Sequence, residues 1–404
     1  MSARAAWFVP GRIEVLGKHT DYAGGRSLLA AVGRGFRVVS VPRSDNRIVV
    51  ADTRRAVTFT SALEPDMAVP EDGWTNYAMT VVRRIARDFP DARRGADISL
   101  ESDLPASSGM SSSSAMMIGI FLALADANQL AADPAAVSIY RSPEALAGYL
   151  AAVENGDRFE QHSDDRGVGT SGGSEDHTAI LCCTAGALAQ YAFCPVRRER
   201  VVTLDPDLVF AIGVSGVRAS KTGPARGPYN DAAGAVQRML EVWCAATRRD
   251  DGVLADALAS EPQAGERLRR VLFSSGHAAL IPRLDQFIEE SEVIVPAAAA
   301  RLADGDIRAF GDLVDRSQAL AERALGNQVP ETIDLARSAR VLGAPAASTF
   351  GAGFGGSVWA LVPATDAGPF IQRWSAGYRR AFPEAASRAS FFATRPGPGA
   401  TRLE

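Results

Sequence analysis

The chain has 404 residues, 47% of them hydrophobic and 22% charged, with a formal net charge of −4. That is the balance of a globular protein long enough for two domains of ordinary size, and it offers no basic footprint for nucleic acid. The longest apolar run, from Met116 to Ala125 and including Gly119, is too short to span a bilayer, so no membrane partner is expected. The N-terminal MSARAAWFVPGR lacks the apolar stretch of a secretion signal, and a cytoplasmic location is expected. Cys182, Cys183, Cys194 and Cys244 have no metal-ligand spacing and are expected to be reduced, buried thiols, the adjacent pair within a strand-like apolar run. Four histidines without a matching cysteine or carboxylate cluster argue against structural zinc.

In chain order, Trp7-Phe8-Val9 reads as a short strand, followed by the glycine-punctuated, polar segment GRIEVLGKHTDYAGGRSL. It carries more polar side chains than a turn needs, as the lining of a polar ligand site would. Strands are expected at residues 37–41 and 47–50, joined through Ser44-Asp45-Asn46, with a further short strand at 58–60. Thr75 or Asn76 caps a helix carrying Met79, Val82 and Ile85. Strands first and helices after is an α+β pattern rather than a βαβ alternation.

The next segment, LPASSGMSSSSAMM from Leu104 to Met117, opens with small residues and turns helical, with Met116, Met117, Ile120, Phe121 and Leu124 as an apolar stripe. Free N–H groups at such a helix start favour a phosphate, and the hydroxyls of Ser111 to Ser114 can donate to its oxygens or coordinate Mg²⁺; a serine-rich cap on a buried helix or a linker is the plainer reading. A helix from Pro143 follows, with Leu146, Leu150 and Val153 inward, then a polar stretch and a glycine loop leading to Glu175-Asp176-His177. A carboxylate at that point can serve as a general base or simply be solvated. Strands are expected at 186–191 and 209–214, a loop at 220–230, and alanine-rich helices over most of 231–343. A strand, GAGFGG and a strand (347–349, 351–356, 357–362) lead to a loose tail, PGPGATRLE. No internal repeat is present.

Three segments in this order resemble the GHMP kinases, most closely those of galactokinase type. Gly11-Arg12…Gly17-Lys18-His19-Thr20-Asp21-Tyr22…Gly25 is similar to GRxNLIGEHTDYxxG, the 104–113 segment to the phosphate loop PxGxGLSSS, and residues 351–356 to GGGFGG. Gly73-Trp74-Thr75-Asn76-Tyr77 resembles the WxNY segment beside the adenine pocket. The resemblance implies a two-domain fold with the active site between domains: an N-terminal α+β domain like ribosomal protein S5 (1–205) and a C-terminal ferredoxin-like α/β sandwich (206–395), before a tail at 396–404. It implies an ATP- and Mg²⁺-dependent sugar 1-kinase with a monosaccharide and ATP as its partners, a monomer or weak homo-oligomer.

By the same resemblance Asp176 and Arg12 are catalytic, and Lys18, His19, Asp21, Gly173 and Tyr229 bind the sugar. Trp74, Tyr77, Ser107, Ser108, Gly109, Ser111, Ser112 and Ser113 bind ATP, and Ser113 and Glu154 hold Mg²⁺. Taking Glu154 implies an insertion at 156–165; Asp164 fits the spacing without one, but in no helix-like context. Several positions depart from the pattern: Lys18 replaces the glutamate that touches the sugar C6 hydroxyl, Glu14 an asparagine, His177 a glutamine, and Ser107 and Ala352 glycines. Lys18 either pairs with Glu14, leaving a galactose site, or meets an anion, giving a kinase for galacturonate. Arabinose, which lacks C6, is a further alternative substrate, and a non-catalytic sugar sensor an alternative function.

Overall fold

The computed structural model describes residues 4–70, 73–105, 108–218 and 226–404. The first half is built on one eight-stranded sheet. Strands β1 (Ala5–Leu16) and β2 (Arg26–Pro42) form a long antiparallel pair, and β2 continues to β5 (Ala96–Ser102), β3 (Arg47–Asp52) and β4 (Val57–Ala62). The inner end of β2 also pairs β6 (Ala187–Ala192), which pairs β7 (Arg197–Thr203). β1 was expected to end near Val9. It runs on to Leu16 because two register shifts, at Pro10/Arg12 and Glu14/Leu16, absorb the proline and glycine without ending the pairing.

Four helices pack against this sheet and one another: α1 (Trp74–Asp88), α2 (Ser112–Asn128), α3 (Pro143–Asn155) and α4 (Glu175–Cys182). Helix α2 is apolar on every side, with Met116, Met117, Ile118, Ile120, Phe121, Leu122 and Leu124 all buried, as a central helix must be. Gly119 lets it close on the sheet, since a Cβ there would sit 2.6 Å from a methyl of Val38. The strand-like run expected around Cys182 and Cys183 is instead the end of α4. Cys182 and Cys183 are buried as expected, whereas Cys194, in the turn after β6, is exposed.

The second half has a four-stranded antiparallel sheet of β8 (Leu208–Val214), β9 (Ala346–Phe350), β10 (Ser357–Pro363) and β11 (Ser390–Thr394), in the order β11-β8-β10-β9. Beside it, α5 (Arg226–Thr247), α6 (Leu254–Ala259), α7 (Ala264–Ser274) and α8 (Ile281–Ile288) gather around Trp243, Leu268 and Phe287. Helix α5 begins inside the loop expected at 220–230; residues 219–225 lie outside the described residues. Helix α8 passes through a widened turn at Glu289–Ile294 into α9 (Val295–Ala303). Helices α10 (Ile307–Leu320), α11 (Pro330–Val341), α12 (Ala367–Ala381) and the short α13 (Pro383–Ala386) complete the layer.

One apolar cluster spans both sheets, joining Val9, Phe36 and Phe121 to Phe210, Ile212 and Trp359. The tail expected to be loose is ordered. β12 (Thr401–Leu403) pairs β1 at Ala6, Trp7 and Phe8, and the N–H groups of Gly397 and Gly399 donate to the carbonyls of Ala31 and Cys183. An otherwise open strand edge supplies the unpaired backbone groups that hold it.

Candidate active site

The long β1 strand carries Arg12 into the seam between the two halves. Its guanidinium, 2% exposed, donates through Nε to Asp176 Oδ1 at 2.8 Å, with Nη2 at 2.5 Å from the same oxygen. Nη1 donates to the Gly109 carbonyl at 2.5 Å, tying the Arg12–Asp176 pair to the serine loop. Burial works against the charge of Arg12, but Asp176, Glu175 and Glu14 more than offset it, and the guanidinium is held above its usual range.

Asp176 sits in the first turn of α4, after the glycine loop, where a carboxylate also meets the positive end of the helix. The loop must be glycine at Gly173, because a Cβ there would lie 2.2 Å from Asp21 Oδ2. Asp21 in turn accepts from the Glu175 N–H at 3.1 Å. Asn155, at the end of α3, pins the loop from the other side by exchanging two bonds with the backbone of Gly172.

A cleft opens beside this pair. Arg12, Asp176, His19, Asp21, Gly173 and Tyr229, all expected at the site, line it. Glu14, Tyr22, Glu175, Gly351 and Ala352 complete the wall, and the first three were not singled out as ligand contacts. Glu14 was expected only as a member of the polar segment and as a possible partner of Lys18, and Glu175 only as the residue before Asp176; the fold places both on the cleft wall.

Lys18 is not part of this wall. It is 1% exposed, and its Nζ donates to Ser317 Oγ on α10 at 3.1 Å; Ser317 donates to Glu290 Oε1 at 2.9 Å. Glu290 Oε1 also accepts from the N–H groups of Gly17 and Lys18, at 2.8 and 3.4 Å. Arg283 and Gln286 of α8 hold the carbonyls of His19 and Lys18, at 2.6 and 3.2 Å. Helix α8 and the turn after it thus shape the sugar-signature loop from behind. His19, at φ +58°, is fixed by contacts of Nδ1 with the Tyr22 hydroxyl (2.9 Å) and of Nε2 with the Ala352 carbonyl (3.1 Å).

The serine loop lies against the last glycine loop. A Cβ on Gly351 would come within 2.9 Å of the Gly109 carbonyl, and Ser357 Oγ donates to the Ser108 carbonyl at 2.6 Å. Ser111 takes the left-handed conformation just before α2, and the hydroxyls of Ser108 and Ser111 are buried with no hydrogen-bond partner among the described residues. Buried hydroxyls left open beside helix N–H groups fit an anion with several acceptor oxygens.

Behind the loop Glu154, 4% exposed, accepts from Ser114 Oγ at 2.8 Å. His177 Nε2 lies 3.2 Å from the same carboxylate, but off the hydrogen-bonding direction. Ser113, one residue earlier in the same turn, is half-buried, whereas Asp164 is exposed on the loop after α3. A carboxylate beside serine hydroxyls is the hard-oxygen donor set that suits Mg²⁺, and the described residues hold no cluster of three or more His, Cys, Asp or Glu suited to a metal.

Trp74 packs edge-on against Phe59 at the start of α1, Tyr77 is buried, and Asn76 donates to the Val168 carbonyl at 3.1 Å. Ser107, also expected at the ATP site, lies outside the described residues.

A serine-capped helix, a glycine loop and a buried Arg–Asp pair, meeting between two α+β halves, mark the two-domain fold of small-molecule kinases. The chain belongs to the GHMP kinase superfamily. Its residues 2–41 match the galactokinase galactose-binding signature, 76–157 the GHMP kinases N-terminal domain and 294–380 the GHMP kinases C-terminal domain. It is 37% identical to the galactokinase of Glaesserella parasuis serovar 5 (strain SH0165) over 115 residues, 28% of this chain and 29% of that protein. The match to the galactokinase of Chloroflexus aggregans (strain MD-66 / DSM 9485) is 27% identical and covers 91% of this chain and 86% of the relative. The fold superposes on Lactococcus lactis galactokinase complexed with galactose with a TM-score of 0.82, at 21% identity over 99% of this chain and 95% of that one. The mevalonate kinase of L. major in complex with R-mevalonate gives 0.58 at 15% identity, over 97% of this chain and 95% of that one.

Proposed function

We propose that the protein transfers the γ-phosphoryl group of ATP to the anomeric hydroxyl of a monosaccharide, with galactose as the leading substrate. The observation that carries this reading is the Arg12–Asp176 pair, whose guanidinium reaches the serine loop at Gly109 while both residues line the cleft. A sugar in the cleft then meets a carboxylate, and a phosphate on the loop meets the adjoining cation.

In the reaction the anomeric oxygen bonds to the γ-phosphorus as the bond to the bridging β–γ oxygen breaks and ADP leaves. Asp176 orients the hydroxyl and takes its proton. Arg12 fixes that carboxylate and opposes the negative charge at the transferring group. Ser108, Ser111 and the N–H groups at the start of α2 receive phosphate oxygens, and Trp74 and Tyr77 belong to the adenine side. Ser113 and Glu154 would hold Mg²⁺, which when bound neutralises phosphate charge.

The galacturonate reading rested on Lys18 meeting an anion, and Lys18 instead points to Ser317. The sensor reading has no support in a cleft that keeps both members of the catalytic pair. ADP release on galactose, galacturonate, arabinose, glucuronate and galactosamine, with ³¹P NMR of the product, tests the reading. A sugar 1-phosphate is expected from galactose. Sugar binding without ADP release would favour the sensor.

A further inference from the structure

We infer that Glu14 is a specificity residue that accepts a hydrogen bond from a hydroxyl or ammonium group of the sugar, and that the cleft selects such substrates against sugar acids. The inference rests on the sugar-kinase reading and narrows its substrate class.

Glu14 is 3% exposed and lines the cleft, and its Oε1 accepts no hydrogen bond from the described residues. The groups that act on it come from four elements: Arg12 on β1, Lys18 in the following turn, Glu175 on α4 and Glu290 after α8. Neither cation satisfies it by contact, since Arg12 is committed to Asp176 and Gly109 and Lys18 to Ser317. Its near neighbour is the Glu175 carboxyl, which burial, and then Glu14 itself, push well above the ordinary carboxylate range. Glu175 has its own anchor in a 2.7 Å bond from Ser27 Oγ. A carboxyl oxygen keeps acceptor sites whether or not the group is ionised, and those of Glu14 Oε1 are unfilled among the described residues. A buried acceptor facing a cleft is costly unless a ligand fills it.

The sign of the wall points the same way. Glu14, Asp21, Glu175 and Asp176 line the cleft, against a single guanidinium already paired with Asp176. Sugar hydroxyls and an ammonium are donors and suit these oxygens. A second carboxylate brought in by a uronate finds no uncommitted cation among the described residues that line the cleft.

The test is calorimetric binding of galactose, its 2-, 3-, 4- and 6-deoxy derivatives, galactosamine and galacturonate to the full chain, with ADP release read on the same preparations. Wild type is expected to bind one deoxy derivative at least tenfold more weakly than galactose, and that penalty should shrink to about twofold in Glu14→Met while the others are unchanged. Glu14→Gln, nearly isosteric and still an acceptor, should fall between. Galacturonate is expected to bind at least tenfold more weakly than galactose in wild type, an arm that needs no variant. Equal deoxy penalties in wild type and both variants, galacturonate bound as tightly as galactose, or no sugar binding at all would overturn the inference. Intact sugar binding without ADP release would remove the kinase reading and leave the binding role of Glu14 standing.

Discussion

Asp176 and Arg12 act as a unit, so replacing either alters the other. Asp176→Asn keeps the shape but not the charge, and kcat is expected to fall by about 10²–10⁴-fold, with galactose affinity changed only a few-fold. Steady-state kinetics beside calorimetry separates the two effects, and near-normal turnover would remove Asp176 from the catalytic role. Glu14 offers a second test, through pH. Burial raises its carboxyl from 4.5 to about 7, against the opposing pull of Lys18 and Arg12. A folded-state pKa above the unfolded value means that the native protein holds the proton more tightly. This contribution to stability is complete below about pH 4.5 and lost as pH rises toward 7. The melting temperature is expected to decline from pH 5 to 7, and Glu14→Gln should flatten that slope. A wild-type profile that rises over this window would show that Glu14 ionises normally.

At the scale of elements, the sugar-signature loop is shaped by helices far away in sequence. Arg283 of α8 is buried and donates to the His19 carbonyl, the Tyr22 hydroxyl and Gln286 Oε1. Arg283→Met leaves a buried carbonyl without its donor, at a cost of about 1–3 kcal/mol. Denaturant unfolding should register that loss, together with a weaker galactose affinity; a variant as stable as wild type would show that α8 does not hold the loop. The loop after α3 makes a parallel case. Asp165 there is gripped by Arg83 and Arg87 of α1, at 2.9 and 2.8 Å, which leaves its neighbour Asp164 exposed and Glu154 facing the serines. Glu154→Ala is therefore expected to raise the Mg²⁺ concentration needed for half-maximal rate, and Asp164→Ala to leave it unchanged. The reverse result would transfer the metal role to Asp164.

At the scale of the molecule, the apolar cluster shared by the two sheets ties the halves into one cooperative body. The C-terminal segment adds to this. β12 covers the edge of β1, and the backbone around Gly397 to Ala400 bonds to β2 and the end of α4. Each such hydrogen bond contributes about 0.5–1.5 kcal/mol, so deleting residues 396–404 is expected to lower the denaturant midpoint while keeping a single transition. An unchanged midpoint would show that the tail's pairing contributes nothing to stability.

Local sequence carried the parts of this protein whose physics is local. The apolar stripe after the serine run marks a helix start, and the glycines around Asp176 mark backbone that approaches other groups too closely for a Cβ, as Gly173 does at Asp21. The resemblance these segments carry placed Arg12, His19, Asp21, Gly173 and Asp176 in one site, and the structure brings them to one cleft. What a single position faces is decided by packing from elsewhere. Lys18 looked like a substrate contact until Ser317, almost 300 residues later, supplied a closer partner. Glu14 looked like its counter-ion, and Glu175 like a spacer before the catalytic aspartate. Two register shifts in β1 and the start of α4 turned both carboxyls onto the cleft wall. The ordered tail is the same lesson in backbone: glycine and proline predict looseness locally, but an unpaired strand edge across the sheet gave Thr401–Leu403 hydrogen-bond partners that no neighbouring residue could provide.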